Sequence, residues 1–390
     1  MTWLFLFLTA PTAAFWLYAL LCTLWMTRRI ARLAGEPVHD GDDGAPPRVT
    51  VVSPACNEEA SIEASVRSWL AQDDVALRII AVNDRSTDRT GALLDELADE
   101  NDQLDVVHVD TLPEGWLGKV HALHRGTARA QGDWLLFADA DVRLAPGTLS
   151  RAVAFAERRG IDLLTAMPEI ASADFWSDVA WGFVGAGVGP ARMWRTRDPL
   201  SRHAFGVGAF ILIRRRAFEQ TPGFSWLKLE VADDQGLAML LKHHGQRCDI
   251  VNGRGLVRLT WYASLRDMVV KSQKNWFAIA ARFSLSRSAL VATFCVISAL
   301  SPLAMLLPGI GAPLLAVPIA GQIAFVGASA VQARWSGRPV APSLLAPVGM
   351  LLVAFMVLRA GIIGARVGGI TWRGVLYRSE DLRDVQRFEM

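Results

Sequence analysis

The chain is poor in several features that would each mark a familiar class. Its four cysteines, Cys22, Cys56, Cys248 and Cys295, lack metal-ligand spacing and imply no disulfide framework, which fits a reducing compartment. A net charge of +2 over 390 residues argues against a nucleic-acid surface. No Gly-x-Gly-x-x-Gly opens the first helix of the α/β region, which disfavours a classical dinucleotide site. No internal repeat is visible. The N-terminal apolar run has no charged segment ahead of it, which disfavours a cleavable signal peptide.

What the chain has in plenty is long apolar runs, and they sit at its two ends. Trp3 to Met26 carries no charge and is long enough to cross a bilayer. Arg28, Arg29 and Arg32 follow it and place that end on the cytoplasmic side. Three further runs come late: Ala289 to Leu307, Ala312 to Val331 and Leu344 to Ile363, the first two separated by Pro308 and Gly309. Three crossings from a cytoplasmic middle would leave the C-terminus outside. The tail's Arg366, Arg373, Arg378, Arg383 and Arg387 favour the cytoplasm instead, so either one segment is re-entrant or interfacial or the tail is external despite its charge, the cytoplasmic tail being preferred. Leu265 to Phe283 mixes Arg, Lys, Trp and Phe in the manner of an amphipathic helix lying on a membrane.

Between the ends the pattern alternates strand and helix, which predicts an α/β fold with a doubly wound, mostly parallel sheet. Strands are expected at Val49 to Ser53, Leu77 to Val82, Leu104 to Val109 and Trp134 to Ala138. Helices are expected at Ser61 to Ala71 (Ser61 as cap), Gly91 to Glu100, Val120 to Ala130 and Gln235 to His244. In such a sheet ligands bind beyond the strands' carboxyl ends. Polar clusters follow each strand there: Asn57-Glu58-Glu59, Asn83-Asp84-Arg85-Ser86-Thr87-Asp88, Gly118-Lys119 and Asp139-Ala140-Asp141. Each alone also suits turn and cap chemistry, above all Ser86 and Asp88.

Asp139 and Asp141 carry the most chemistry. Strand alternation sends residues i and i+2 to one side, so the two acids are expected to point together. Carboxylates held that close repel unless a cation lies between them. Oxygen-only ligation suits Mg²⁺ or Mn²⁺ shared with phosphates. Asp233-Asp234 stands at a helix start, where the dipole favours ionised acids. Gly206-Val207-Gly208 reads equally as a bulged core strand or as backbone approaching a ligand. His203, His121, His124, His243 and His244 read as structural.

The set Pro54-x-x-Asn57-Glu58, Asn83-Asp84-x-Ser86-x-Asp88, Gly118-Lys119, Asp139-x-Asp141 and Asp233-Asp234, in that order over residues 48–285, resembles inverting glycosyltransferase family 2 with its GT-A fold. The resemblance implies that Asp84 binds the nucleotide base, that Asn57 and Glu58 line the base and ribose pocket, and that Asp139 touches the ribose. It implies Asp141 as the ligand of Mg²⁺ or Mn²⁺, Lys119 near the phosphates of a nucleotide sugar (a UDP-sugar by preference), and Asp234 as the general base. Glu230 is a reserve base, and Asp233, Trp276 and Arg373 are accessory candidates. The implied organisation is an anchor (1–27), a linker (28–47), a cytoplasmic GT-A domain (48–263), an interfacial helix (264–287), a membrane bundle (288–365) and a tail (366–390), in a bacterial-type cytoplasmic membrane.

Processive members of that family carry Gln-x-x-Arg-Trp. Here the stretch is Lys271-Ser272-Gln273-Lys274-Asn275-Trp276, which keeps only the Trp at the required spacing. The phrases Trp116-x-Gly118-Lys119 and Trp372-Arg373-Gly374-x-x-Tyr377 are similar to those of lipid glycosyltransferases of the ceramide, hopanoid and carotenoid types. The expectation is transfer of one sugar to a membrane-lipid hydroxyl. The rivals are a processive polysaccharide synthase and, in another class, a transporter or non-catalytic nucleotide-binding membrane protein. Few charged residues interrupt the apolar runs, which weighs against transport.

Overall fold

The computed structural model of the chain describes residues 2–39, 45–306 and 312–387. Pro308, Gly309 and linker residues 40–44 lie outside the described residues. Contacts divide the chain into two compact units: residues 30–170, 193–260 and 385–390, and residues 1–29, 171–192 and 261–384.

The first unit contains strands β1 (Arg48–Ala55), β2 (Ala76–Asp84), β3 (Leu104–Val109), β4 (Trp134–Phe137), β5 (Arg143–Leu144), β6 (Leu163–Met167), β7 (Glu169–Ile170), β8 (Ile211–Arg214), β9 (Cys248–Asn252) and β10 (Val257–Leu259). Seven of them form one sheet in the order β3-β2-β1-β4-β8-β6-β9. Pairings among β1, β2, β3 and β4 and between β6 and β9 are parallel, while β8 runs antiparallel to both neighbours. The α/β, mostly parallel architecture expected from the alternation is present. Sequence explains the centre: β4 is Trp-Leu-Leu-Phe with every residue buried, as a strand covered on both faces requires. Val49, Val51, Ile79, Ala81 and Leu136 join Trp69, Leu94 and Phe155 in the core.

Three local expectations need correction. Ser61 precedes the helix Ile62–Leu70 but makes no side-chain cap bond; its hydroxyl donates to the Glu58 carbonyl and carboxylate instead. β4 ends at Phe137, so strand alternation does not govern Asp139 and Asp141. They sit on a turn closed by Val142 N–H donating to the Asp139 carbonyl at 3.1 Å. The stretch Leu265 to Phe283 is not one helix: Leu265–Lys271 is α-helical, Asn275–Ala280 is a π-helical turn, and Arg282 and Phe283 take left-handed φ values of 46° and 56°. A helix cannot continue through two consecutive left-handed residues.

Among the described residues, the second unit holds four helices long and apolar enough to cross a membrane: Phe5–Arg29, Leu285–Leu303, Leu314–Ser336 and Ala341–Val367. A further helix, Phe175–Val188, groups with them although it lies mid-chain. Asp174 and Ser177 cap it reciprocally, and small residues allow its close packing. A Cβ on Gly349 would fall 2.0 Å from the Val179 carbonyl oxygen, and one on Gly321 only 2.7 Å from Ala13 Cα. Asp178 on this helix is buried and ion-paired to Arg338, whose guanidinium also lies over Trp181 at 5.1 Å. Strands Gly369–Trp372 and Val375–Arg378 form a hairpin in this unit, turned by Arg373 and Gly374 at φ 50° and 79°.

Candidate functional site

β1, β2 and β4 are parallel, so their carboxyl ends share one sheet edge. Asn57 and Glu58 follow β1, Asp84 ends β2, and Asp139 and Asp141 follow β4. The antiparallel β8 begins where the others end, which brings Gly206 to Phe210 to the same edge. Helix starts supply the rest: Lys119 from Gly118–Thr127 and Asp233 and Asp234 from Asp233–His243. Asp233 and Asp234 thus open the helix, as the sequence pattern implies. A narrow cleft is lined by Lys119, Phe137, Asp139, Gly208, Asp233 and Asp234, among others.

The charges in it are tightly balanced. Lys119 Nζ lies 2.8 Å from Asp139 Oδ1 and 3.1 Å from Asp233 Oδ2. Burial alone would lower its pKa, but Asp139, Asp233 and Asp234 together raise it, so the amine is held charged. Asp234 is pushed up from 3.8 to about 6, first by burial and then by Asp233; Lys119 and the Gln235 and Gly208 amides oppose the rise. Desolvation and a like charge thus outweigh the helix dipole, which by itself favours the ionised acid. Asp234 Oδ2 accepts the Gly208 N–H at 3.0 Å and Oδ1 accepts the Gln235 N–H at 2.8 Å.

Asp141 is pushed up to about 7 by burial, Asp139 and Glu58. A buried Asp141 carboxylate facing the like charges of Asp139 and Glu58 is a site that a divalent cation would relieve, so the residues fit Mg²⁺ or Mn²⁺. Among the described residues no three His, Cys, Asp or Glu groups converge as a complete metal cage. That fits an ion held by one or two carboxylates with substrate phosphates completing the shell.

Asp84 is buried and gripped by Arg85 at 2.8 and 3.0 Å. Asn57, at φ 57°, accepts the Thr87 N–H at 2.8 Å and donates its own N–H to Ser86 Oγ at 3.0 Å, so it stitches the β1 loop to the β2 loop. Asp88 accepts the Thr90 N–H at 3.0 Å, the local capping read from the sequence. Glu230 is buried, accepting the Ala232 N–H at 3.2 Å and the Arg387 N–H at 2.5 Å. Trp276 and Arg373 belong to the apolar unit and are not among the residues gathered here. Gln235 and Thr165 went unread in the sequence, since a lone amide and a lone core hydroxyl carry no pattern; the Gly206-Val207-Gly208 run was the visible signal.

The family model of Glycosyl transferase family 2 matches residues 50–221. The beta-monoglucosyldiacylglycerol synthase of Synechocystis sp. is 29% identical over 221 residues, 53% of this chain and 42% of its own length. The 4,4'-diaponeurosporenoate glycosyltransferase of Staphylococcus haemolyticus is 32% identical over 96 residues, 25% of this chain and 24% of its own. The matches thus span less than half the length of either relative. Among solved structures, the mannosyltransferase PcManGT of Pyrobaculum calidifontis, in complex with GDP-Man and Mn²⁺, aligns at a TM-score of 0.49 and 20% identity over 93% of this chain and 98% of its own. The stretch that matches the Glycosyl transferase family 2 model carries most of the sheet and, at its edge, Asn57, Glu58, Asp84, Lys119, Asp139 and Asp141; Asp233 and Asp234 lie beyond it.

Proposed function

We propose that this protein is an inverting glycosyltransferase that moves one sugar from a nucleotide-sugar donor, a UDP-sugar by preference, to a hydroxyl of a membrane lipid. The observation that carries the reading is Asp234: a carboxylate poised near neutrality, held by two amides and flanked by the Lys119–Asp139–Asp233 cluster. Asp234 takes the acceptor hydroxyl proton, the freed oxygen bonds to the anomeric carbon, and the bond from that carbon to the diphosphate breaks. The electron pair leaves with the nucleoside diphosphate, and one displacement inverts the centre. A divalent ion at Asp141, when bound, supplies Lewis-acid stabilisation of that leaving group. Asp84 and its Arg85 partner present a carboxylate and a guanidinium to the base, and Lys119 keeps Asp139 in place.

Four helices long and apolar enough to cross a membrane favour a lipid acceptor. So do relatives whose names specify a monoglucosyldiacylglycerol and a diaponeurosporenoate. The catalytic unit is read as cytoplasmic. The test uses the full chain in lipid nanodiscs with a panel of nucleotide sugars, Mn²⁺ and extracted lipid, followed by mass spectrometry of the lipids. A singly glycosylated lipid is expected, with Asp141→Asn losing donor turnover and Asp234→Asn keeping donor binding but losing transfer. A ladder of products would identify a processive synthase, and full activity in both variants would remove the site assignment.

A further inference from the structure

Residues Gly206, Val207 and Gly208 lie in no strand, since β8 begins only at Ile211. No ladder holds their backbone, yet each amide is taken by a different side chain. Gly206 N–H donates to Gln235 Oε1 at 3.4 Å, and Gln235 Nε2 donates back to the Gly206 carbonyl at 2.7 Å. Val207 N–H donates to Thr165 Oγ1 at 3.0 Å, and that hydroxyl, fully buried on β6, donates to the Phe210 carbonyl at 3.0 Å. Gly208 N–H donates to Asp234 Oδ2 at 3.0 Å, while its carbonyl accepts the Asp139 N–H at 3.1 Å.

The segment also has no room to drift. A Cβ on Gly206 would fall 1.9 Å from the Asp234 carbonyl oxygen, and one on Gly208 would fall 2.9 Å from Asp139 Oδ2. The Gly208 peptide therefore joins the Asp139 turn on one side to the Asp234 carboxylate on the other. Its orientation is set one and two residues upstream, by Thr165 and Gln235.

We propose that Gln235 and Thr165 are positioning residues, pinning this backbone so that the Gly208 amide aims the Asp234 carboxylate; the inference rests on the reading of Asp234 as the base. Neither touches the cleft's charged groups through its own side chain. Their loss is expected to lower turnover without touching donor affinity, because a base displaced by a fraction of an ångström loses rate while the donor pocket stays intact.

The test compares Gln235→Met, Thr165→Val and Thr165→Ser in the full chain in nanodiscs. Three quantities are read: kcat, the dissociation constant of nucleoside diphosphate with Mn²⁺, and amide exchange of the segment containing Gly208. Gln235→Met and Thr165→Val should each lose about tenfold in kcat with nucleotide affinity within about twofold of wild type. Exchange at Gly208 should quicken in both. Thr165→Ser, which keeps the hydroxyl, should stay within about twofold of wild type in every readout.

Unchanged kcat in the first two variants, unchanged exchange, or a parallel fall of kcat and nucleotide affinity would overturn the proposal. If Gln235→Met does not accumulate, Thr165→Val against Thr165→Ser carries the same test by itself. The exchange measurement needs no turnover. Wild-type protein inert towards every nucleotide sugar would sink the proposed function and still leave the pins to be judged by exchange.

Discussion

Turnover should rise with pH through an apparent pKa near 6, and the limb should move in opposite directions when the two charges beside Asp234 are removed. An ordinary aspartate would be more than 90% ionised at pH 5 on its reference pKa, roughly, and would leave the rate almost flat there. Asp234 is displaced from 3.8 to about 6. That displacement corresponds to about 3 kcal/mol in favour of the protonated form. A base with that pKa is ionised in only about one molecule in ten at pH 5 and in about nine in ten at pH 7. The initial rate of nucleoside diphosphate release at pH 5 should accordingly be about tenfold below the plateau. Saturating Mn²⁺ is needed, because Asp141, itself pushed up to about 7, must be kept ionised throughout.

The sign can be checked residue by residue. Asp233 raises the pKa of Asp234 and Lys119 lowers it. Asp233→Asn should shift the acid limb to lower pH, and Lys119→Met should shift it to higher pH. A rate that stays flat down to pH 5, or limbs that move the same way in both variants, would refute the reasoning.

Two further outcomes follow from packing. Gly206→Ala must displace backbone by more than an ångström, since its Cβ would lie 1.9 Å from the Asp234 carbonyl oxygen. Transfer should fall about a hundredfold while nucleotide binding, read by titration calorimetry, persists. Arg338→Leu strands the buried Asp178 carboxylate and should cost about 3 kcal/mol or more of stability, seen as a lower melting temperature in detergent. The double variant Asp178→Asn with Arg338→Leu should recover most of that loss, and no recovery would mean the pair is not what holds the segment.

Much of the fold was legible because periodicity is a local property. The apolar run Trp134 to Phe137 could only be a doubly covered strand, and the alternation around it implied a parallel sheet with polar clusters at its carboxyl edge. The helix Phe175–Val188 was not legible. Its sequence is apolar, but too short to announce a membrane span, and only its packing assigns it to the apolar unit. Asp139 and Asp141 reach the sheet edge on a turn and not on the strand expected of them, since a strand's last residue cannot be read to within two positions.

The sequence by itself determined which polar clusters follow the first four strands of the α/β region, because strand periodicity and polarity are written in local runs. It also determined that the ends of the chain are apolar enough for a membrane. Only the tertiary structure decided what those residues do to one another. Burial and Asp233 push the Asp234 carboxylate up, Lys119 opposes the rise, and one carboxylate oxygen accepts the N–H of Gly208, which lies 26 residues earlier in the chain. Electrostatic coupling and hydrogen-bond orientation depend on distances between segments remote in sequence, and no local pattern records such distances.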